Sequence, residues 1–255
     1  MFITPDTLNT INLEFTDYCN AACPMCARFK TDGTLYKEKV NQNHNTLDVL
    51  QKRIPEKIIK QLKDFYSVGT YGDAVMNPEC LAIYRWVRSL NNKCKLSFHS
   101  NGGARNEKFW KEVAELEIQV VFGIDGLEDT NHLYRRNVKW DNLMRNVRSF
   151  IGAGGKAIWT FIVFKHNQHQ VDEARQLSER LGFKKFHTMF SDRWHSSNWI
   201  TGETMDVDKW PVDDYYLEKP TSQEKKFYHK STVGVYEEEQ FNLEKKVVCQ
   251  MASNK

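Results

Sequence analysis

The chain has 255 residues, of which 40% are hydrophobic and 27% charged, with a formal net charge of +3. That length suits one large domain or two small ones, and an α/β barrel would take most of it. A charge so near neutral requires no anionic polymer as partner, so nucleic acid is not indicated, and six cysteines are too few for a disulfide scaffold. Met1-Phe2-Ile3-Thr4-Pro5-Asp6 lacks the basic segment and apolar run of a secretory signal. No later stretch reaches about 18 successive apolar residues, so a cytoplasmic protein without membrane contact is expected.

In chain order, Ile11, Leu13 and Phe15 alternate with polar residues, which predicts a strand over residues 10–16 that runs straight into Cys19. A polar insertion occupies about residues 30–45. Ile58, Ile59, Leu62 and Phe65 then share one face at helical spacing, and Val68-Gly69-Thr70-Tyr71 reads as a second strand ending at Gly72-Asp73. Asn77-Pro78 supplies an N-cap and a proline for the first helical position, with Leu81, Tyr84, Val87 and Leu90 as the buried face. A third strand over 95–99 stops at Ser100-Asn101-Gly102-Gly103, and Phe109, Trp110, Val113 and Leu116 form the next helical stripe. Strand four, 118–124, ends at Asp125-Gly126. Leu143, Met144, Val147, Phe150 and Ile151 mark a helix, 158–164 a fifth strand, Val171, Ala174, Leu177 and Leu181 a further helix, and 186–190 strand six.

Repeated βα units with near-continuous apolar strands predict a parallel sheet covered by helices, either an open doubly wound sheet or a (β/α) barrel. Cys19, Asp73, Asn101, Asp125 and Asn167 all follow C-terminal strand ends, the face where both architectures bind ligands. The pattern breaks after residue 190. The expected division is a barrel over 1–190 and a C-terminal extension or linker over 191–255.

The segment Cys19-Asn20-Ala21-Ala22-Cys23-Pro24-Met25-Cys26 spaces three thiols as C-x3-C-x2-C directly after strand one. Three thiolates can ligate three corners of a cubane cluster and leave one iron open, whereas a closed site takes four. Structural zinc is the alternative, with Cys80, Cys94, Cys249 or a histidine as fourth ligand.

With its strand-end motifs, this segment resembles the radical S-adenosylmethionine superfamily over roughly residues 8–190. The resemblance implies a partial (β/α)6 TIM-like barrel and a [4Fe–4S] cluster on Cys19, Cys23 and Cys26. It also implies S-adenosyl-L-methionine chelated at the open iron and split to methionine and a 5′-deoxyadenosyl radical. Tyr71-Gly72-Asp73-Ala74 is similar to the family's Gly-Gly-Glu-Pro segment, which gathers the cofactor's amino group; Asp73 keeps a carboxylate, while Tyr71 and Ala74 depart. Ser100-Asn101-Gly102 resembles the Thr-Asn-Gly turn, and Ile124-Asp125-Gly126 the strand-four Ile-Asp-Gly, both near the ribose and methionine portions. Gly123 stands where relatives often have serine. Arg135 is similar to the arginine that pairs with the cofactor carboxylate, with Arg136 as fallback, and Met25 takes the place of an aromatic beside the adenine.

Plainer roles stand beside these. Asp73 and Asp125 could cap helices, Ser100-Asn101-Gly102-Gly103 could be only a turn, and Asn167 reads as a cap rather than a ligand. Cys80 and Cys94 read as small buried residues. Trp194, His195 and Trp199 could line a pocket or pack an extension, and Glu237-Glu238-Glu239 reads as a solvated face. Cys249 is either an ordinary thiol or the first ligand of an auxiliary-cluster domain of the SPASM or twitch kind, which this sequence would truncate. The leading functional expectation is a radical on a peptide or protein side chain, with a flavodoxin- or ferredoxin-type reductant. The alternatives are the same chemistry on a small molecule, nucleotide or cofactor precursor, and a non-catalytic zinc or iron–sulfur protein.

Overall fold

The computed structural model describes residues 5–30, 33–37, 40–191, 193–194, 209–221 and 247–248. Strands β1 (Thr10–Asn12), β2 (Asp64–Ser67), β3 (Lys95–Ser100), β4 (Gln119–Gly123), β5 (Ala157–Val163) and β6 (Lys185–Phe190) pair in parallel, each beside its sequence neighbour. A doubly wound sheet reverses its strand order at a switch point, and the run β1–β6 does not. The fold is therefore an open, partial TIM-like barrel. An antiparallel hairpin, β7 (Lys209–Val212) and β8 (Tyr215–Glu218), follows the barrel, and β9 (Val247–Val248) pairs in parallel with β1.

Helices α1 (Leu47–Arg53), α2 (Glu56–Gln61), α3 (Cys80–Leu90), α4 (Glu107–Glu115), α5 (Asn131–Tyr134), α6 (Trp140–Gly152) and α7 (Val171–Leu181) complete the units. The strands alternate, and their two faces do different work. On one face Phe65, Phe98 and Phe122 meet Tyr84 of α3, Trp110 of α4 and Phe150 of α6, with ring centroids 5.3–6.2 Å apart. These rings are fully buried and form the spine of the core. On the other face His99, Gly123, Thr160, Ile162 and Met189 open onto a cavity. No helix among the described residues is long and apolar enough to cross a membrane.

The second strand lies earlier than its sequence pattern predicts. Phe65 is not the end of a helical stripe but the centre of β2, paired with Ile11 and Leu96. Gly69 turns the chain with φ +71°, and the Thr70 and Tyr71 amides donate to the Glu14 carboxylate at 3.0 and 3.3 Å instead of joining a ladder. Residues 68–71 are thus a loop, bent by glycine and anchored by a carboxylate on the chain extending from β1.

Asn77 does not cap α3 directly, because that helix starts after Glu79. Its buried amide donates to the Phe15 and Asn45 carbonyls at 2.8 and 2.9 Å, tying the returning insertion to the chain beyond β1. Helix α1 was hidden at the end of that insertion, where Thr46 caps it by accepting from the Val49 amide. The hairpin was also unforeseen. It docks on α5 and on the segment after β5: the Tyr215 hydroxyl donates to the Leu133 carbonyl, and the Lys165 amide donates to the Glu218 carbonyl at 3.0 Å.

Trp194 is buried and packs edge-on against Phe164 at 6.1 Å, as an extension does, and it does not line the cavity. Cys80 and Cys94 are buried free thiols in the core. His195, Trp199, Glu237, Glu238, Glu239 and the Cys249 thiol lie outside the described residues.

Candidate active site

The cysteine loop leaves β1 and is held from three sides. The Asp73 amide donates to the Tyr18 carbonyl at 2.9 Å, the Ala22 amide to the Arg136 carbonyl at 3.1 Å, and the Thr16 hydroxyl to Asn43 of the insertion at 2.8 Å. Gly72 is required here for space: a Cβ would stand 2.7 Å from the Tyr18 carbonyl oxygen. Within the loop the Cys26 amide donates to Cys23 and the Phe29 amide to Cys26, each at 3.0 Å, so the chain turns twice and brings the thiols round. Cys19, Cys23 and Cys26 all line one cavity of about 500 Å³, a size typical of cofactor pockets.

Asp73 combines both of its sequence readings. Its Oδ1 accepts from the Val75 amide at 3.2 Å, a cap of the short 3-10 turn Ala74–Met76. Its Oδ2 accepts from the Ser100 hydroxyl, the Asn101 amide and the Asn101 Nδ2 at 2.9, 2.9 and 2.8 Å. Burial pushes this carboxyl up, and those donors oppose the rise. Asn101 Nδ2 also reaches Cys19 Sγ at 3.6 Å and Asn20 Oδ1 at 2.9 Å, so the strand-three turn is joined to the cysteine loop.

Arg135 follows α5 and is steered from behind. Its Nε donates to Asp125 Oδ2 at 2.6 Å and its Nη1 to Cys23 Sγ at 3.7 Å. Asp125 is fully buried, and its other oxygen accepts from the Ile162 amide at 2.6 Å. Burial pushes the Asp125 carboxyl up while the guanidinium opposes it, and Arg135 itself remains charged. The guanidinium occupies space left by Gly123, where a Cβ would stand 2.9 Å from Arg135 Cζ and closer still to Nη2.

Met25, Gly72, Asp73, Ser100, Asn101 and Arg135 line the same cavity as the three thiols. Asp125 lies behind Arg135, and Tyr71 stands outside the lining, its amide held by Glu14. Arg136 points away, paired with Asp213 of the hairpin. Asn167 is buried and structural, donating to the Asp125 and Ile162 carbonyls at 2.9 Å.

Sequence reasoning missed Arg28, His99, Thr160, Arg193 and Trp210 of the cavity wall. His99 and Thr160 were within reach, since each alternates with a buried aromatic on its strand. Burial, with Arg135 nearby, pushes His99 down to about 4, so the cavity contains a neutral imidazole. Arg193 and Trp210 carried no periodic signal.

The thiols suit a cluster better than a single ion. Burial raises Cys23 to about 11 against the pull of Arg135, and it raises Cys19 too, so the thiolates need positive charge supplied between them. A tetrahedral zinc site takes four ligands on one ion, and among the described residues no group of three or more His, Cys, Asp or Glu side chains is placed to hold a single metal ion. Three thiols lining one cavity are the donor set that a cubane would take, each cysteine binding its own iron.

The architecture is an open βα barrel that carries a three-thiol loop after its first strand. Residues 13–181 match the family model of the Radical SAM superfamily, and the chain belongs to that family, whose members are enzymes. No curated protein matches the sequence. Among solved structures it is similar to a hexahistidine-tagged anSMEcpe with bound AdoMet, at 15% identity over 74% of this chain and 51% of that one, TM-score 0.59. It is likewise similar to anSMEcpe with bound AdoMet and Cp18Cys peptide, at 15% identity over 74% and 52%, TM-score 0.58. Streptococcus suis SuiB bound to precursor peptide SuiA matches at 13% identity over 77% and 43%, TM-score 0.60. At such identities the likeness is one of fold, and the chain spans about half the length of these structures or less.

Proposed function

We propose that this protein is a radical enzyme that binds a [4Fe–4S] cluster through Cys19, Cys23 and Cys26 and S-adenosyl-L-methionine beside it, and that abstracts hydrogen from a peptide or protein side chain. The observation that carries this reading is the opening of three thiols, the Asp73 carboxylate network and Arg135 onto one cavity at the C-terminal strand ends. When bound, the cluster and cofactor supply one-electron cleavage of the sulfonium to methionine and a 5′-deoxyadenosyl radical. The barrel proper is assigned to 1–190 and the extension to 191–255.

The chain's own residues position the reactants. Asp73, fixed by Ser100 and Asn101, accepts from the cofactor's ammonium. Arg135 pairs with the cofactor's carboxylate and is kept in place by Asp125, a task that suits a guanidinium held along one edge. Met25, which lines the cavity, would pack beside the adenine. His99, Thr160, Ile162 and Met189 line the remaining wall and bound the substrate side. The peptide assignment is supported by fold neighbours whose structures contain peptides. A flavodoxin- or ferredoxin-type protein of the cytoplasm delivers the electron.

The test is anaerobic turnover with side-chain-deuterated peptides. Deuterium appearing in 5′-deoxyadenosine supports the reading. Cofactor cleavage with deuterium transfer only from a small molecule overturns the peptide assignment, and colourless protein with stoichiometric zinc overturns the whole.

A further inference from the structure

Arg28 is the one buried lysine or arginine among the described residues, at 4% exposure. It lies two positions after Cys26 and lines the cavity. Its Nη1 donates to the Ala21 carbonyl at 3.3 Å, between Cys19 and Cys23, and its guanidinium stands 5.7 Å from the Phe29 ring centroid. Its Nε is buried with no hydrogen-bond partner, and no carboxylate pairs with it among the described residues. A guanidinium stays charged at any ordinary pH, and a buried charge is tolerated only where opposite charge offsets its desolvation.

The cysteine loop that Arg28 touches can acquire such charge. Three thiolates on a doubly positive iron–sulfide core leave one net negative charge, and reduction by one electron makes it two. A fixed cation therefore favours the reduced cluster over the oxidised one, and burial strengthens the effect by removing solvent screening. We propose that Arg28 is the internal counter-cation of the cluster, a positioning residue that secures the cysteine loop and raises the reduction potential. The inference rests on the cluster reading above. The electron comes from the flavodoxin- or ferredoxin-type donor, and no bond at Arg28 forms or breaks.

The experiment is an anaerobic redox titration of reconstituted protein, followed by electron paramagnetic resonance. Arg28→Gln keeps an amide donor for the Ala21 carbonyl but removes the charge. Its potential falls by at least the equivalent of a tenfold change in the reduction equilibrium, about 59 mV for a one-electron couple. Arg28→Lys moves it less, and Arg85→Gln, on the exposed Arg85–Glu112 pair of α3, leaves it unchanged.

A second measurement does not depend on the variant holding a cluster. Arg28→Met melts at higher temperature than wild type when both lack the cluster, because an uncompensated buried charge is gone, whereas wild type gains more from cluster loading. An unmoved potential in Arg28→Gln with full iron content overturns this inference alone, as does an equal loss of melting temperature in Arg28→Met with and without cluster. Wild type that assembles no cluster overturns both this inference and the proposed function.

Discussion

Arg135 occupies the volume that any side chain at Gly123 would need. A Cβ there would stand 2.9 Å from the guanidinium carbon, and the arginine is not free to swing away because its Nε is held by Asp125 at 2.6 Å. The glycine is thus matched to the arginine rather than a lost hydroxyl contact.

Gly123→Ser is accordingly expected to weaken S-adenosyl-L-methionine binding about tenfold, roughly 1.4 kcal/mol, by displacing the guanidinium. Calorimetry on reconstituted protein measures it, with circular dichroism to confirm the fold. Tighter binding by the serine variant would mean that the missing hydroxyl matters more than the space.

Asp125→Ala should cost about 3 kcal/mol of stability, since it strands a charged arginine and leaves the Ile162 amide without its acceptor. Urea denaturation of cluster-free protein gives the number. The double variant with Arg135→Met should recover part of the loss, because no unpaired charge remains. A double variant less stable than the single one would contradict the pairing.

The two lowered histidines predict an acid-side loss of stability. Burial and Arg135 bring His99 down to about 4, and burial with His169 and His132 nearby does the same for His166. Between their ordinary value near 6.5 and about 4 the unfolded chain binds more protons than the folded one, so their contribution is full above pH 6.5 and is lost as pH falls through that window. The buried carboxyls of Asp73 and Asp125 have raised values and work in the opposite sense, adding stability as pH falls. The clean readout is therefore comparative: denaturation midpoints of wild type and His99→Gln/His166→Gln from about pH 7.5 to 4.5, with wild type losing stability relative to the variant as pH falls. Parallel profiles would contradict it.

Much of this site is legible in the sequence, and the reason is local. Cys19, Cys23 and Cys26 fall in one short turn-forming segment, Asp73 and Asn101 lie in the segments that follow β2 and β3, and Arg135 follows α5 in the connection after β4, so parallel βα order brings these distant segments to one face. The apolar stripes of α3, α4, α6 and α7 were equally plain, being set by a period of about 3.6 residues. What failed depended on long-range partners. Val68 to Tyr71 has the look of a short strand, but a short apolar run does not fix its own register, and the Glu14 carboxylate and Gly69 turn those residues into a loop. The β7–β8 hairpin carried too little alternation to be read among charged neighbours. Arg28 gave no sign, because an isolated arginine is read as solvent-facing unless its burial is seen.

The most direct measurement of the central claim is anaerobic reconstitution of wild type and Cys23→Ala with iron and sulfide, followed by reduction in the presence of S-adenosyl-L-methionine and quantification of 5′-deoxyadenosine. Wild type should hold a [4Fe–4S] cluster and release 5′-deoxyadenosine and methionine, while Cys23→Ala should lose both the cluster absorbance and the product. A wild-type cluster that yields no 5′-deoxyadenosine under strong reductant, or a Cys23→Ala variant that yields as much as wild type, would contradict the account.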